Sequence, residues 1–190
     1  MRSMPKIKIS LSTPICLSAL AIIYGPTYIL AISAATLLHE LGHIIAIYLL
    51  GSSVSEVTVR PFGAVINRGE NRSSYVADAV ISLSGPAVNT ICFLLCLPLG
   101  RLGAFASASL ILALVNLIPS KPLDGYCAMR ALTLSLFSPG VAGVICRAIS
   151  LIILGILWTL SVYAVIYANF NIYLLLMVTF LICEALFSIK

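Results

Sequence analysis

Charged residues are scarce in this chain. They make up 9% of its 190 residues, hydrophobic residues make up 61%, and the mean hydropathy is +1.14. Because soluble domains carry about 25% charged residues, the composition excludes an ordinary soluble protein and indicates an integral membrane protein. No run of basic residues occurs, so the net charge of +5 indicates membrane topology and not nucleic-acid binding.

Closely paired cysteines are also absent. The six cysteines form no C-x-x-C motif, and five of them lie in apolar segments, where a free thiol behaves as a small hydrophobic side chain. We therefore expect neither disulfides nor a thiolate zinc site. Cys127, three residues after Asp124, is a minor candidate as a metal ligand.

Histidine is also scarce, because the chain has only two. His39 and His43 flank Glu40 in the sequence H-E-L-G-H, within an apolar run (29–50) that has no other acidic or basic side chain. Histidines at i and i+4 project from one helical face and can reach one divalent metal ion. The glutamate beside the first histidine is the position at which zinc hydrolases keep their general base. Ionisable side chains are costly at membrane depth, so the pattern indicates a metal site and not a chance match.

The apolar segments predict a multi-pass membrane protein. A span needs about 20 apolar residues. With the N-terminus inside, ten of the eleven Lys and Arg residues fall on the inner side, which predicts cytoplasmic N- and C-termini in the cell membrane. We therefore expect an all-α membrane protein, a six-helix transmembrane bundle that forms a single domain over 1–190. The predicted spans are 11 to about 29, about 32 to 50, 76–97, 104–118, about 148 to 168, and 172–189.

The most polar part of the chain lies between the second and third predicted spans. Strand-prone residues from Val54 to Arg60 precede a turn at Pro61-Phe62-Gly63. This pattern predicts a short β-hairpin-like loop over 54–66, with a free strand edge near the histidines. A plain connecting loop is the alternative reading.

A catalytic zinc ion needs a third protein ligand besides the two histidines. Glu56 and Glu70 lie in the polar loop, and Asp78 begins a helix, where an acidic side chain is stabilising. Asp124 and Glu184 remain. We favour Asp124, because it follows a proline-broken segment from which a helix start can present it inside the bundle; Glu184, on the last span, is the alternative.

These motifs together resemble the site-2 protease family of intramembrane metalloproteases. The resemblance is carried by H-E-L-G-H on the second span and by 116–119 (N-L-I-P) and 122–125 (P-L-D-G) at the fourth. The segment 84–89 (S-G-P-A-V-N) on the third span matches the family's G-P-x-x-N motif. Within the family, 61–63 (P-F-G) is most similar to the loop of the sporulation branch, the stage IV sporulation processing protease. The nucleotide-sensing or PDZ domains that relatives often carry have no counterpart in 1–190. Tyr126 stands where a second glycine is frequent.

The resemblance implies a site and an activity. His39, His43 and Asp124 would hold one zinc ion, Glu40 would activate the bound water, and Asn116 would position the peptide or stabilise the oxyanion. The substrate would be a membrane-tethered precursor, such as a pro-sigma factor, cleaved near the cytoplasmic side and received as an added strand at the hairpin. The expected partners are this substrate and the lipid bilayer, with no nucleic acid; the same ligands also suit iron or cobalt.

Three other functions compete with this prediction. A metal transporter or sensor could place H-x-x-x-H and an aspartate inside a helical bundle, although it would not need Glu40. A different membrane zinc protease would use Glu184 as its third ligand. A catalytically inactive relative acting as a scaffold is less consistent with the sequence, because every expected catalytic group is present.

Overall fold

The computed structural model describes residues 6–9, 25–60, 63–68, 74–98, 103–168 and 172–187. The chain divides into two compact units, Met1–Val115 and Asn116–Lys190. The described residues form six α-helices and three β-strands. In chain order these are β1 (Lys6–Ile9), α1 (Pro26–Leu49), β2 (Val54–Arg60), β3 (Gly63–Arg68), α2 (Tyr75–Cys96), α3 (Ala104–Asn116), α4 (Asp124–Leu136), α5 (Pro139–Tyr167) and α6 (Tyr173–Phe187).

Helix α1 carries the H-E-L-G-H sequence and has well-defined ends. Pro26 occupies its first turn, where a missing N–H costs nothing. After Leu49 the chain turns back through Gly51, whose φ of 77° is a conformation that favours glycine. The N–H of Gly51 donates to the carbonyl of Tyr48 and that of Ser52 to the carbonyl of Ile47, which satisfies carbonyls at the helix end.

Helix α2 is fixed at its start by a side-chain cap. The hydroxyl of Ser74 accepts from the N–H of Ala77 at 3.2 Å, and Asp78 places an acidic side chain in the first turn. Pro86 lies inside the helix and removes one backbone donor. Such interruptions are tolerated in membrane helices where neighbouring groups satisfy the backbone.

Helices α1 and α2 pack closely because small residues meet at their contact. A β-carbon added at Gly42 would lie 2.8 Å from the carbonyl oxygen of Ser84 and 3.2 Å from the Cα atom of Gly85. The buried face of α1 includes Ala35, His39, Gly42, His43 and Ala46, at the i, i+3 and i+4 spacing of one helical stripe. The two histidines therefore face α2.

The strands form a small three-stranded sheet in the order β1-β2-β3. Strands β2 and β3 are an antiparallel hairpin, so the hairpin predicted over 54–66 is confirmed. Its turn residues Pro61 and Phe62 lie outside the described residues. Strand β1 runs parallel to β2, and Lys8 forms a 2.8 Å ion pair with Glu56 across this contact. Strand β1 pairs with the side of β2 that faces away from β3. The outer edge of the hairpin is therefore the edge of β3.

In the second unit, helix α5 is packed against α4 and α6. Leu154 of α5 forms a buried cluster with Val178 and Leu181 of α6, and Ile118 and Leu123 from the segment before α4 pack against it. The hydroxyl of Ser150 donates to the backbone carbonyl of Pro119. These contacts fasten the segment that leads to Asp124 onto α5.

The predicted fold class is confirmed: the protein is α-helical, with a short hairpin after α1. Three of the described helices, α1, α2 and α5, are long and apolar enough to cross a membrane. Most of the first predicted span lies outside the described residues, and α4, after the fourth predicted span, was not predicted as a span. The number of spans, their orientation and the single domain over 1–190 stay predictions.

Two helix starts differ from the predicted spans. Helix α1 begins at Pro26 and not near residue 32, and α5 begins at Pro139 and not near 148. In both cases proline in the first turn starts a helix that continues into the apolar segment. Arg147 lies within α5, since one long basic side chain does not interrupt a helix.

Candidate metal centre

The two histidines are brought together in the interior of the first unit. His39 is 4% exposed and His43 is 8% exposed. Their Nε2 atoms lie 3.2 Å apart, and the rings meet edge to face with centroids separated by 4.9 Å. The predicted helical pairing is therefore present, with one nitrogen of each imidazole directed at the same place.

The other ring nitrogens, the Nδ1 atoms, face helix α2. Nδ1 of His43 lies 2.7 Å from the backbone carbonyl oxygen of Ile81, which also accepts from the hydroxyl of Ser84 at 2.6 Å. Nδ1 of His39 lies 3.2 Å from Nδ2 of Asn89, whose side chain is fully buried. Ligating histidines commonly donate the N–H away from the metal to an acceptor such as this carbonyl oxygen of Ile81, because the hydrogen bond fixes the ring orientation.

Gly85 leaves space beside the two Nε2 atoms. A β-carbon added at this glycine would lie 2.8 Å from Nε2 of His39 and closer still to Nε2 of His43. A zinc ion is held about 2.0–2.1 Å from each histidine nitrogen. A side chain at position 85 would therefore collide with both imidazole rings, and the donor set fits a divalent metal ion.

Glu40 lies on the same helix, half-buried, next to His39 in sequence and three residues before His43. Residues three apart are neighbours on a helix surface, so the Glu40 backbone position lies next to that of His43 on α1. The catalytic role of Glu40 stays a prediction.

Asp124 lies in the second unit, as the first residue of helix α4. The preceding segment is tightly folded, since the N–H of Leu123 donates to the carbonyl of Ser120 and a β-carbon at Gly125 would meet the carbonyl of Leu117. The expected presentation of Asp124 from a helix start is thus observed within its unit. Asn116 ends α3, just before this segment.

The remaining acidic and thiol candidates are more exposed than Asp124. Glu184 lies on α6 and Cys127 on α4, and both are exposed, whereas Asp124 is partly buried. Near Asp124, burial raises the pKa of the Tyr126 phenol above its ordinary value. Tyr126 therefore stays protonated at neutral pH, and its hydroxyl keeps the ability to donate a hydrogen bond. The choice of third ligand stays a prediction.

Comparison with known proteins bears on the fold and on the chemistry. No family model matches the chain. Its structure is similar to that of the Site-2 Protease from Methanocaldococcus jannaschii, with a TM-score of 0.63 over 97% of this chain and 91% of that one, at 19% sequence identity. The fold resembles that of a site-2 protease. At this identity, the likeness to the archaeal protein establishes the fold alone.

A second similarity comes from sequence. A protein of Synechocystis sp. whose name assigns it to the putative zinc metalloproteases is 28% identical over an alignment 121 residues long, which covers 58% of this chain. The match covers 32% of that protein, so the chain spans about a third of the length of the curated relative. The predicted resemblance to intramembrane metalloproteases is thus supported at the level of fold and of a zinc metalloprotease relative. The sporulation branch stays a prediction.

Asn89 and the Ile81 carbonyl were given no role by the sequence. Asn89 was identified only as the last residue of a motif shared with the family, and a backbone carbonyl leaves no mark in a sequence. A buried asparagine in an apolar helix needs hydrogen-bond partners, and this was the one signal that could have pointed to Asn89.

Proposed function

We propose that this protein is an intramembrane zinc metalloprotease that hydrolyses a peptide bond in a membrane-tethered precursor. The observation that carries the proposal is the histidine pair: two buried imidazoles in an apolar helix direct their Nε2 atoms to one place, 3.2 Å apart. Glu40 lies next to them. The site-2 protease fold and the zinc metalloprotease relative support the same reaction class.

The proposed metal ligands are His39, His43 and Asp124. Each offers one ligand atom, a ring nitrogen from each histidine and a carboxylate oxygen from Asp124. Two histidines and one aspartate are a donor set that would hold a catalytic zinc ion. When bound, the metal would lower the pKa of a water molecule to about 7 and would polarise the scissile carbonyl.

Glu40 is the proposed general base. Its carboxylate accepts the proton of the attacking water and passes it to the leaving amine as the peptide bond breaks. A second polar group, the Asn116 side-chain amide, is proposed to donate a hydrogen bond to the carbonyl oxygen as charge develops on it. Both roles are suggested by the family resemblance. The position of Glu40 next to His39 on α1 also supports the role of Glu40.

The substrate is proposed to bind as an added strand. A helical peptide has its carbonyls hydrogen-bonded within the helix, so a substrate must be extended before hydrolysis, and pairing with a sheet edge holds it extended. The described part of the sheet ends at β3, whose outer edge has no strand against it there. A membrane-tethered pro-sigma factor, cleaved near the cytoplasmic side, is the substrate that the sporulation-branch resemblance suggests.

Zinc content in two alanine variants will test the third ligand. We expect about one zinc ion per chain in the wild type and its loss in Asp124→Ala, because two histidines alone do not hold catalytic zinc. Glu184→Ala, the matched control, should keep both its zinc and its cleavage of a membrane-tethered test peptide. Metal retained in Asp124→Ala but lost in Glu184→Ala would overturn the ligand assignment in favour of the rival zinc protease.

A further inference from the structure

The two histidines have partners of different kinds on helix α2. Nδ1 of His43 faces the backbone carbonyl oxygen of Ile81 at 2.7 Å. A carbonyl oxygen only accepts hydrogen bonds, so the Nδ1 atom of His43 carries the proton. In the neutral ring its Nε2 atom then carries a lone pair. The backbone therefore holds His43 in a single tautomer.

His39 instead faces a side-chain amide, which can donate or accept. Nδ2 of Asn89 lies 3.2 Å from Nδ1 of His39, and the amide oxygen of Asn89 is buried with no hydrogen-bond partner. In this orientation the amide donates, and Nδ1 of His39 accepts. The proton of His39 is then on Nε2, from which it donates to the lone pair on Nε2 of His43, 3.2 Å away.

The same positions support a second arrangement of protons. Turning the Asn89 amide by half a turn exchanges its oxygen and nitrogen, which have nearly the same shape. The oxygen then accepts from a proton on Nδ1 of His39, and both Nε2 atoms carry lone pairs. This second arrangement is the one that a metal ion requires, since a ligating histidine donates its other N–H to an acceptor.

We propose that Asn89 is a positioning residue whose amide turns when the histidine pair binds a metal ion. The His39 proton leaves Nε2 and a proton is taken up at Nδ1, so the ring stays neutral and no net proton is released by this step. Asparagine suits both arrangements because its amide donates and accepts, whereas aspartate only accepts and leucine does neither. The inference rests on the proposed metal-binding role of His39 and His43.

The scarcity of histidine makes the tautomers directly measurable. Labelling with ¹⁵N-histidine reports on only two rings, and a ¹³C-glycine label identifies His43 through the preceding Gly42. Magic-angle-spinning NMR of the full chain in lipid vesicles, at mildly alkaline pH, distinguishes protonated from unprotonated ring nitrogens. After chelation we expect His39 protonated on Nε2 and His43 on Nδ1. Addition of Zn²⁺ should move the His39 proton to Nδ1 and leave the tautomer of His43 unchanged.

Two substitutions of Asn89 test whether its side chain must both accept and donate hydrogen bonds. In Asn89→Asp, His39 should be protonated on Nδ1 even before zinc is added, because a carboxylate accepts only. Asn89→Leu should remove the preference of His39 for one tautomer. It should also weaken zinc binding about 10- to 100-fold, the usual cost of losing the hydrogen-bond partner of a metal ligand. Thr90→Val is the matched control, since the Thr90 hydroxyl donates a hydrogen bond to the Pro86 carbonyl of the same helix and not to a histidine. It should keep the wild-type pattern.

The outcomes distinguish this proposal from the one on which it rests. Zinc bound with the His39 tautomer unchanged, or with Asn89→Asp indistinguishable from the wild type, would reject the role of Asn89 alone. A wild type that binds no zinc and shows no change at either ring would reject the metalloprotease and the turning amide together.

Discussion

Glu40→Gln is expected to lose peptide cleavage while keeping its zinc. Glutamine has nearly the same size as glutamate, but its amide cannot take a proton from water at neutral pH. Because general acid–base catalysis contributes about 10²- to 10⁴-fold to a rate, cleavage should fall at least to that extent. The metal should remain, since neither histidine is altered and the half-buried Glu40 is not among the proposed ligands.

The measurement joins metal analysis with cleavage of a membrane-tethered peptide by the same purified samples. Glu184→Gln makes the identical chemical change at an exposed glutamate on α6, and we expect it to retain both zinc and activity. Inactive Glu40→Gln with a full complement of zinc supports a protease and disfavours a transporter, which has no need of a base. Cleavage by Glu40→Gln at the wild-type rate would remove Glu40 from the mechanism.

The histidine pair could be predicted from the sequence because its geometry is local. Two histidines four residues apart share a helical face whatever surrounds the helix, and the apolar run predicts the helix itself. The hairpin was also predictable, since alternating strand-prone residues flank a Pro-Phe-Gly turn. These features depend on residues close together in the chain.

What the sequence left undetermined depends on contacts between distant segments. The parallel pairing of β1 with β2 joins Lys6–Ile9 to a strand some fifty residues later, and no local pattern specifies it. The hydrogen bond that His43 donates to the Ile81 carbonyl, and that between Asn89 and His39, require the packing of α2 on α1. Helix α5 begins earlier than predicted because hydropathy marks the apolar segment and not the proline that starts the helix.

Two glycines, Gly42 and Gly85, lie where α1 packs against α2, and their substitution should affect zinc binding differently. Gly85→Ala should abolish zinc binding although no ligand is removed. The added methyl group would lie against both Nε2 atoms, 2.8 Å from that of His39 and closer to that of His43. Contacts this short force the rings to move, so that they no longer both lie about 2.0–2.1 Å from one zinc ion. We therefore expect zinc affinity to fall at least about 100-fold, the upper end of the cost of changes around metal ligands.

Gly42→Ala is the control that makes this result specific. Its methyl group enters the same contact between α1 and α2, 2.8 Å from the Ser84 carbonyl oxygen and 2.9 Å from a methyl carbon of Val88. A general disturbance of packing should therefore lower thermal stability in both variants, whereas loss of zinc in the Gly85 variant alone locates the metal beside Gly85. Equal loss of zinc in both would show that helix packing limits binding. Zinc retained at wild-type affinity in Gly85→Ala would show that the two rings converge on the metal elsewhere.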